Sequence, residues 1–129
     1  MEKIKSITDK RFRSFLMSVL RRASRFWAPA RECLTKARIA RGVYKCQSCS
    51  DIVNSKEIKI DHIEPVIPLE GFKNWDEVVV RLFCEEDKYQ AICKKCHDEK
   101  TKKENDQRKA YRKEKAILSQ YKRKKDEND

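Results

Sequence analysis

The sequence predicts an α+β fold: two N-terminal helices, a small strand-built centre stapled by a four-cysteine zinc site, and a basic C-terminal helix. Three observations predict it. An apolar stripe of helical period runs through residues 9–26. Short, partly alternating stretches, "VYKCQSC" and "EIKIDH", begin at Val43. Two CxxC pairs, Cys46/Cys49 and Cys93/Cys96, bracket the centre.

The elements follow in chain order. Phe12, Phe15, Leu16, Val19 and Leu20 recur at the i, i+3, i+4, i+7, i+8 spacing of a packed helix face. Thr8 or Asp9 caps that helix, and Arg11, Arg13, Arg21, Arg22 and Arg25 take its other faces. Pro29 suits the first turn of a second helix, with Ala30, Cys33, Leu34 and Ala37 on one side and Gly42 as its end. The two alternating stretches, joined by a polar turn, predict a hairpin with each other. "EPVIPLEGF" holds two prolines and a glycine and reads as a loop. Asn74 followed by Glu77 predicts a capped short helix carrying Trp75, Val78, Val79 and Leu82. "KYQAIC" is a further strand, and "KKCHDEKTKKEN" opens a polar helix. Beyond Asn105 the sparse apolar residues Tyr111, Ile117, Leu118 and Tyr121 define no core face, so a helical tail or a frayed one is expected there.

Composition sets the limits. A chain of 129 residues, 41% charged and only 39% hydrophobic, builds one domain with a thin core. Such a core calls for a staple. The expected division is a basic helical arm over residues 1–42, a core over 43–105 and a charged tail over 106–129. No apolar run approaches the roughly 20 residues of a membrane span, so no membrane role is expected. No export signal is legible either, which predicts a reducing, cytoplasmic setting and favours metal binding over disulfides. The net charge is +11 and unevenly spread: residues 1–45 carry 13 Lys/Arg against 3 Asp/Glu, residues 46–97 carry 7 against 10, and residues 98–129 carry 12 against 8. Basic flanks around an acidic centre are the electrostatic footprint of a phosphate-backbone binder. Arg11, Arg13, Arg21, Arg22, Lys94, Lys95, Lys100, Lys102 and Lys103 are the candidate contacts to a nucleic-acid backbone.

Two constellations carry chemistry. Cys46, Cys49, Cys93 and Cys96 offer four thiolates in matched pairs, each pair able to grip one side of a tetrahedral zinc ion. Two disulfides or a redox CxxC are the alternatives. Cys33 and Cys84 are left over and read as small core hydrophobes. The second constellation is Asp61-His62 with His97, the chain's whole supply of histidine, lying beside the cysteine framework. Closing the cysteine site brings His97 toward Asp61 and His62. A carboxylate and an imidazole then serve as ligands for a second, hydrated cation, and one imidazole is left over as a base. Those are the parts that metal-assisted phosphodiester hydrolysis needs. His62 suits the base because an imidazole titrates near ~6.5.

The string "CQSC…KIDHIEPV…KYQAICKKCHDEKT" resembles the HNH endonuclease family, in particular its small zinc-stapled phage and prophage members, over residues 43–105. "GFKNWDEVVVRLFC" is similar to an insertion found in some of those phage proteins. The resemblance implies a ββα-metal core and metal-dependent cleavage of DNA, with magnesium, manganese or another divalent ion as catalytic cofactor. It implies His62 as general base, Asp61 and His97 as ligands of the catalytic cation, and Cys46, Cys49, Cys93 and Cys96 as structural zinc ligands. It also implies a phage or prophage setting in a bacterial host, with viral DNA-packaging proteins as partners. One departure is plain: Lys88 stands where the family carries the Asn that braces the base-bearing loop, with Asp87 as a substitute and a phosphate contact as the alternative use of Lys88, while Asn105 reads as a solvated surface residue before an accessory polar group. A non-catalytic zinc-stapled DNA-binding module and a packaging-complex interaction protein are the alternative readings.

Overall fold

Asp9 opens the first helix by accepting hydrogen bonds at its Oδ1 from the backbone N–H groups of Arg11 (2.8 Å) and Phe12 (3.3 Å). The computed structural model describes residues 9–128, so the alternative cap, Thr8, lies outside the described residues. Helix α1 spans Lys10–Ser24, and α2, with Pro29 in its first turn, spans Ala28–Ala37. Strands β1 (Arg38–Ala40), β2 (Val43–Lys45) and β3 (Ile52–Asn54) form one antiparallel sheet in that order. Strand β4 (Ile58–His62) pairs antiparallel with β5 (Tyr89–Cys93). Between them lie α3 (Trp75–Leu82) and a 3-10 turn at Glu86–Lys88, and α4 (Lys94–Asn128) closes the chain. The described residues are thus α+β, with four α-helices and two small antiparallel sheets. None of those helices is long and apolar enough to cross a membrane.

Three expectations are corrected. Helix α2 stops at Ala37, before Gly42, because Arg38 already turns extended and Ile39 and Val43 favour strand. Gly42, at φ 73°, instead makes the turn between β1 and β2, a left-handed conformation that suits a residue without Cβ. The two alternating stretches do not pair with each other. Ser50, at φ 67°, turns the chain after the first CxxC back into β3, so β2 pairs with β3. Strand β4 is left to β5, with Ile58 opposite Cys93 and His62 opposite Tyr89. The α1 stripe is also rotated from its expected seat. Met17 and Leu20 pack against α3, Arg13 lies over the Phe72 ring at 4.8 Å, and Phe15 is 65% exposed. The tail continues α4, an unbroken helix of 35 residues, about 52 Å at 1.5 Å per residue, which is the helical of the two expectations for it. It does lack a core face, with Ile117, Leu118 and Tyr121 exposed.

The apolar interior is divided. Ala30, Cys33 and Ala37 of α2 meet Tyr89 and Ala91 of β5, joined at the edge by Ile58 and Ile60 of β4. Cys46, Ile92 and Cys93 form a second cluster at the cysteine site. Val66, Val78 and Leu82, with Phe72, Trp75 and Phe83 around them, seat α3. The leftover Cys33 is therefore packed as a small hydrophobe, its thiol pKa pushed up by burial.

A four-cysteine centre beside an Asp-His-His cluster

The β5–α4 junction builds both candidate sites. Cys93 ends β5 and Cys96 lies in the first turn of α4, while Cys46 and Cys49 flank the turn after β2. The four Sγ atoms lie within 4.8 Å of one another, and Cys49 and Cys93 are 3.8 Å apart. Four zinc–sulfur bonds of ~2.3 Å in a tetrahedron place sulfurs ~3.8 Å apart, so the donors fit such an ion. No disulfide joins cysteines among the described residues.

Backbone geometry tunes the thiols. The N–H groups of Cys49 (3.4 Å) and Cys93 (3.2 Å) donate to Cys46 Sγ. Burial pushes the Cys46 thiol up, but the amides aimed at its sulfur outweigh that and bring it down to about 6. Cys49 is drawn down by the Asp51 amide, yet burial and the neighbouring sulfurs win and push it up to about 12. Cys46 thus forms its thiolate readily, whereas Cys49 and Cys96 are pushed up by burial and by neighbouring sulfurs. Gln47, between the first two ligands, ties this turn to the core. Its N–H donates to Ala91 O at 2.9 Å, and its Oε1 accepts from Ala91 N at 2.8 Å.

The second cluster sits at the far end of β4. Alternation along the strand sends neighbouring side chains to opposite faces. Asp61, opposite Gln90, faces α4, whereas His62, opposite Tyr89, faces α3. Asp61 Oδ1 lies 4.0 Å from His97 Nε2, and Oδ2 accepts from Gln90 Nε2 at 3.0 Å and pairs with Lys100 Nζ at 3.1 Å. Lys100 also donates to His62 O at 3.1 Å and pairs with Glu104. Burial works against the Lys100 charge, but Glu104 and Asp61 prevail and hold its pKa above the ordinary lysine value. His62 Nε2 lies 2.9 Å from Leu82 O, and its ring lies 4.8 Å from that of Tyr89. A cleft of about 180 Å³ opens beside it, lined by His62, Glu64, Val80, Arg81, Cys84 and Lys88.

The structure thus brings Asp61, His62 and His97 to one end of the β4–β5 pair, with the four cysteines at its other end. The basic residues are treated differently. Arg11, Arg21 and Arg22 are exposed on α1, and Lys94, Lys95, Lys102 and Lys103 are exposed on α4. Lys100 is drawn inward to Asp61 instead of standing free for a phosphate. Asp87 and Asn105 are exposed, and Lys88 holds the chain through its backbone, its carbonyl accepting from Ile63 N at 3.0 Å. Gln90, Glu104, Tyr89 and Leu82 are members of the site that sequence reasoning missed, and Lys100 belongs to it in place of the backbone-contact role expected of it. The spacing of His97, Lys100 and Glu104, three and then four residues, signals one helix face. The partners on β5 and α3 become visible only once the β4–β5 register is known. No family model matches the chain, and no curated protein or solved structure matches it.

Proposed function

We propose that this chain is a divalent-metal-dependent DNA endonuclease of the HNH type, with Cys46, Cys49, Cys93 and Cys96 holding a structural zinc ion. The observation that carries the reading is the meeting of Asp61 and His97, 4.0 Å apart, with His62 beside them on the opposite face of β4. That separation is within the reach of two ligand bonds of about 2.1 Å; the carboxylate suits magnesium and manganese, and the imidazole favours a first-row transition ion. When bound, such a cation supplies positive charge at the phosphate and at the leaving oxygen. The chain does the rest. His62 takes the proton of the water that attacks phosphorus, and the exposed arginines of α1 and lysines of α4 hold the DNA backbone. A part in phage DNA processing or packaging belongs to the same proposal.

One observation favours a second reading, a non-catalytic DNA-binding module: the Lys100 ammonium sits 3.1 Å from Asp61 Oδ2, where it competes with a cation for the carboxylate. Incubating zinc-loaded protein with supercoiled plasmid in EDTA, magnesium or manganese decides between them. Nicked or linear product only with added metal is expected. Binding without a cut under every metal would leave the module as the better account.

A further inference from the structure

The cleft beside His62 has no part in the chemistry above. Its walls are mostly apolar: Val80 and Cys84 stand in them, and Arg81 commits its guanidinium to the Pro65 carbonyl at 3.0 Å and to Glu77 at 3.2 Å. A cavity of roughly 150 Å³ holds a benzene ring, so about 180 Å³ admits a pyrimidine base. Trp27 is tied to the wall of this cleft. Its indole N–H donates to the Cys84 carbonyl at 2.7 Å, and its ring meets that of Phe83 edge-on at 6.3 Å. Phe26, next to it, is 76% exposed, and Arg22, Arg25 and Arg31, each within four residues of the pair, are exposed as well. One exposed phenylalanine carries no meaning by itself. Here it adjoins a second ring, fixed at the cleft wall, and stands among three cations.

We infer that the cleft and the Phe26–Trp27 corner together take an unpaired strand of DNA, with one nucleobase in the cleft next to the scissile phosphate and a neighbouring base stacked on the exposed rings. The inference rests on the nuclease reading for the identity of that phosphate. In a duplex the bases are paired and stacked on one another, and only their edges reach a protein, so a cleft or a ring face has nothing to hold. An unpaired nucleotide offers its flat π-face, which stacks on an aromatic side chain whatever the base. The arginines at the corner neutralise the phosphates between such bases. Lys88, exposed in the lining, sets an ammonium beside the phosphate of the base inside, and Glu64, the lining's carboxylate, suits the amino edge of a cytosine or adenine. The substrate class is therefore DNA with unpaired stretches over intact duplex. Negative supercoiling favours such opening, so a supercoiled plasmid remains a substrate.

The test measures binding first and so does not depend on cutting. A fluorescein-labelled strand with no self-complementary stretch, alone or annealed to its complement, is titrated with the full zinc-loaded chain at one salt concentration and with no further metal. A purely electrostatic binder favours the duplex, whose charge density is higher. The parent protein is instead expected to bind the single strand at least as tightly as the duplex. Phe26→Ala, an exchange at an exposed site, is expected to weaken single-strand binding by roughly fivefold or more, the value of one stacked base, with duplex binding unchanged. Val80→Gln, at a site 71% exposed, lengthens the cleft wall without adding a ring or a charge and is expected to act in the same direction. With manganese added, cutting of the single strand is expected to outpace cutting of the duplex. A parent protein that prefers the duplex overturns the inference, whatever the variants do. So does a Phe26→Ala protein whose affinity for the single strand is unchanged or falls equally for both DNAs. If Phe26→Ala turns a dimer into a monomer in sedimentation and leaves DNA binding as it was, the corner is a protein interface and the inference fails. Single-strand binding that behaves as expected, in a chain that cuts with no divalent metal, would support the strand site and refute the metal-dependent reading; the same binding in a chain that never cuts would support the strand site and refute the nuclease reading.

Discussion

Asp61 faces three partners: His97 at 4.0 Å, Gln90 at 3.0 Å and Lys100 at 3.1 Å. Gln90 orients the carboxylate without adding charge, whereas Lys100 neutralises it. On the proposed reading, a divalent cation would compete with the ammonium for the same oxygens. Replacing Lys100 with Met removes the competitor, and manganese is expected to bind the zinc-loaded variant roughly twofold to fivefold more tightly, the yield of a partly exposed ion pair. Calorimetric titration measures it. Weaker binding in the variant would mean that Lys100 orders the site instead. Asp61→Asn keeps the contact with Gln90 but loses the charge, and manganese binding at this site is expected to vanish in the same titration. The grouping of Asp61 with His97 was legible in the sequence, since a scarce histidine next to an aspartate and another next to a CxxC stand out in any reading. The direction of Lys100 was not. In a run of lysines, nothing local separates the one that turns inward from those that face solvent.

Among the elements, β5 does the most positioning. It carries Tyr89 and Gln90 at one end, Cys93 at the other and the buried Ala91 and Ile92 between them. β4 covers one edge, and Gln47 covers part of the other through its paired hydrogen bonds with Ala91. Because Ala91 is fully buried, Gln47→Ala leaves its N–H without a partner. A stability loss of about 1–3 kcal/mol in urea unfolding is expected. A loss well under that range would show that the amide finds another acceptor. The helices α1 and α3 and the strands β4 and β5 could be read from caps and alternation, because those signals are local. Pairing is not local. The partner of β4 lies beyond a 26-residue stretch, and the choice between it and β2 turns on the CxxC turn and Ser50, whose left-handed conformation no common residue preference announces. Gly42 misled for a related reason, since a glycine after a helix and a glycine in a hairpin turn look alike in sequence.

Across the whole molecule, a divided apolar interior leaves the cysteine centre to join β2, β5 and α4. Removing the metal with a strong chelator is expected to abolish cooperative thermal unfolding, followed by circular dichroism, and readdition of zinc to restore it. A chain that melts at the same temperature without metal would contradict that role. Thiols must lose protons to bind zinc, so retention of the ion is expected to fall as pH falls. The basic flanks act at the same scale. The net charge of +11, with arginines exposed on α1 and lysines on α4, points to backbone contacts released by salt. DNA affinity is expected to drop at least tenfold between about 50 and 200 mM salt, and a flat profile in fluorescence anisotropy would argue against phosphate contacts.

The most direct measurement of the proposed chemistry compares parent protein, His62→Ala and His97→Ala in a plasmid cleavage time course with manganese. Zinc content and DNA affinity are measured on the same samples. All three are expected to carry one zinc ion and to bind DNA alike, while only the parent protein cuts. Equal cutting by His62→Ala would contradict the assignment of the base, and equal cutting by both variants would contradict the site itself.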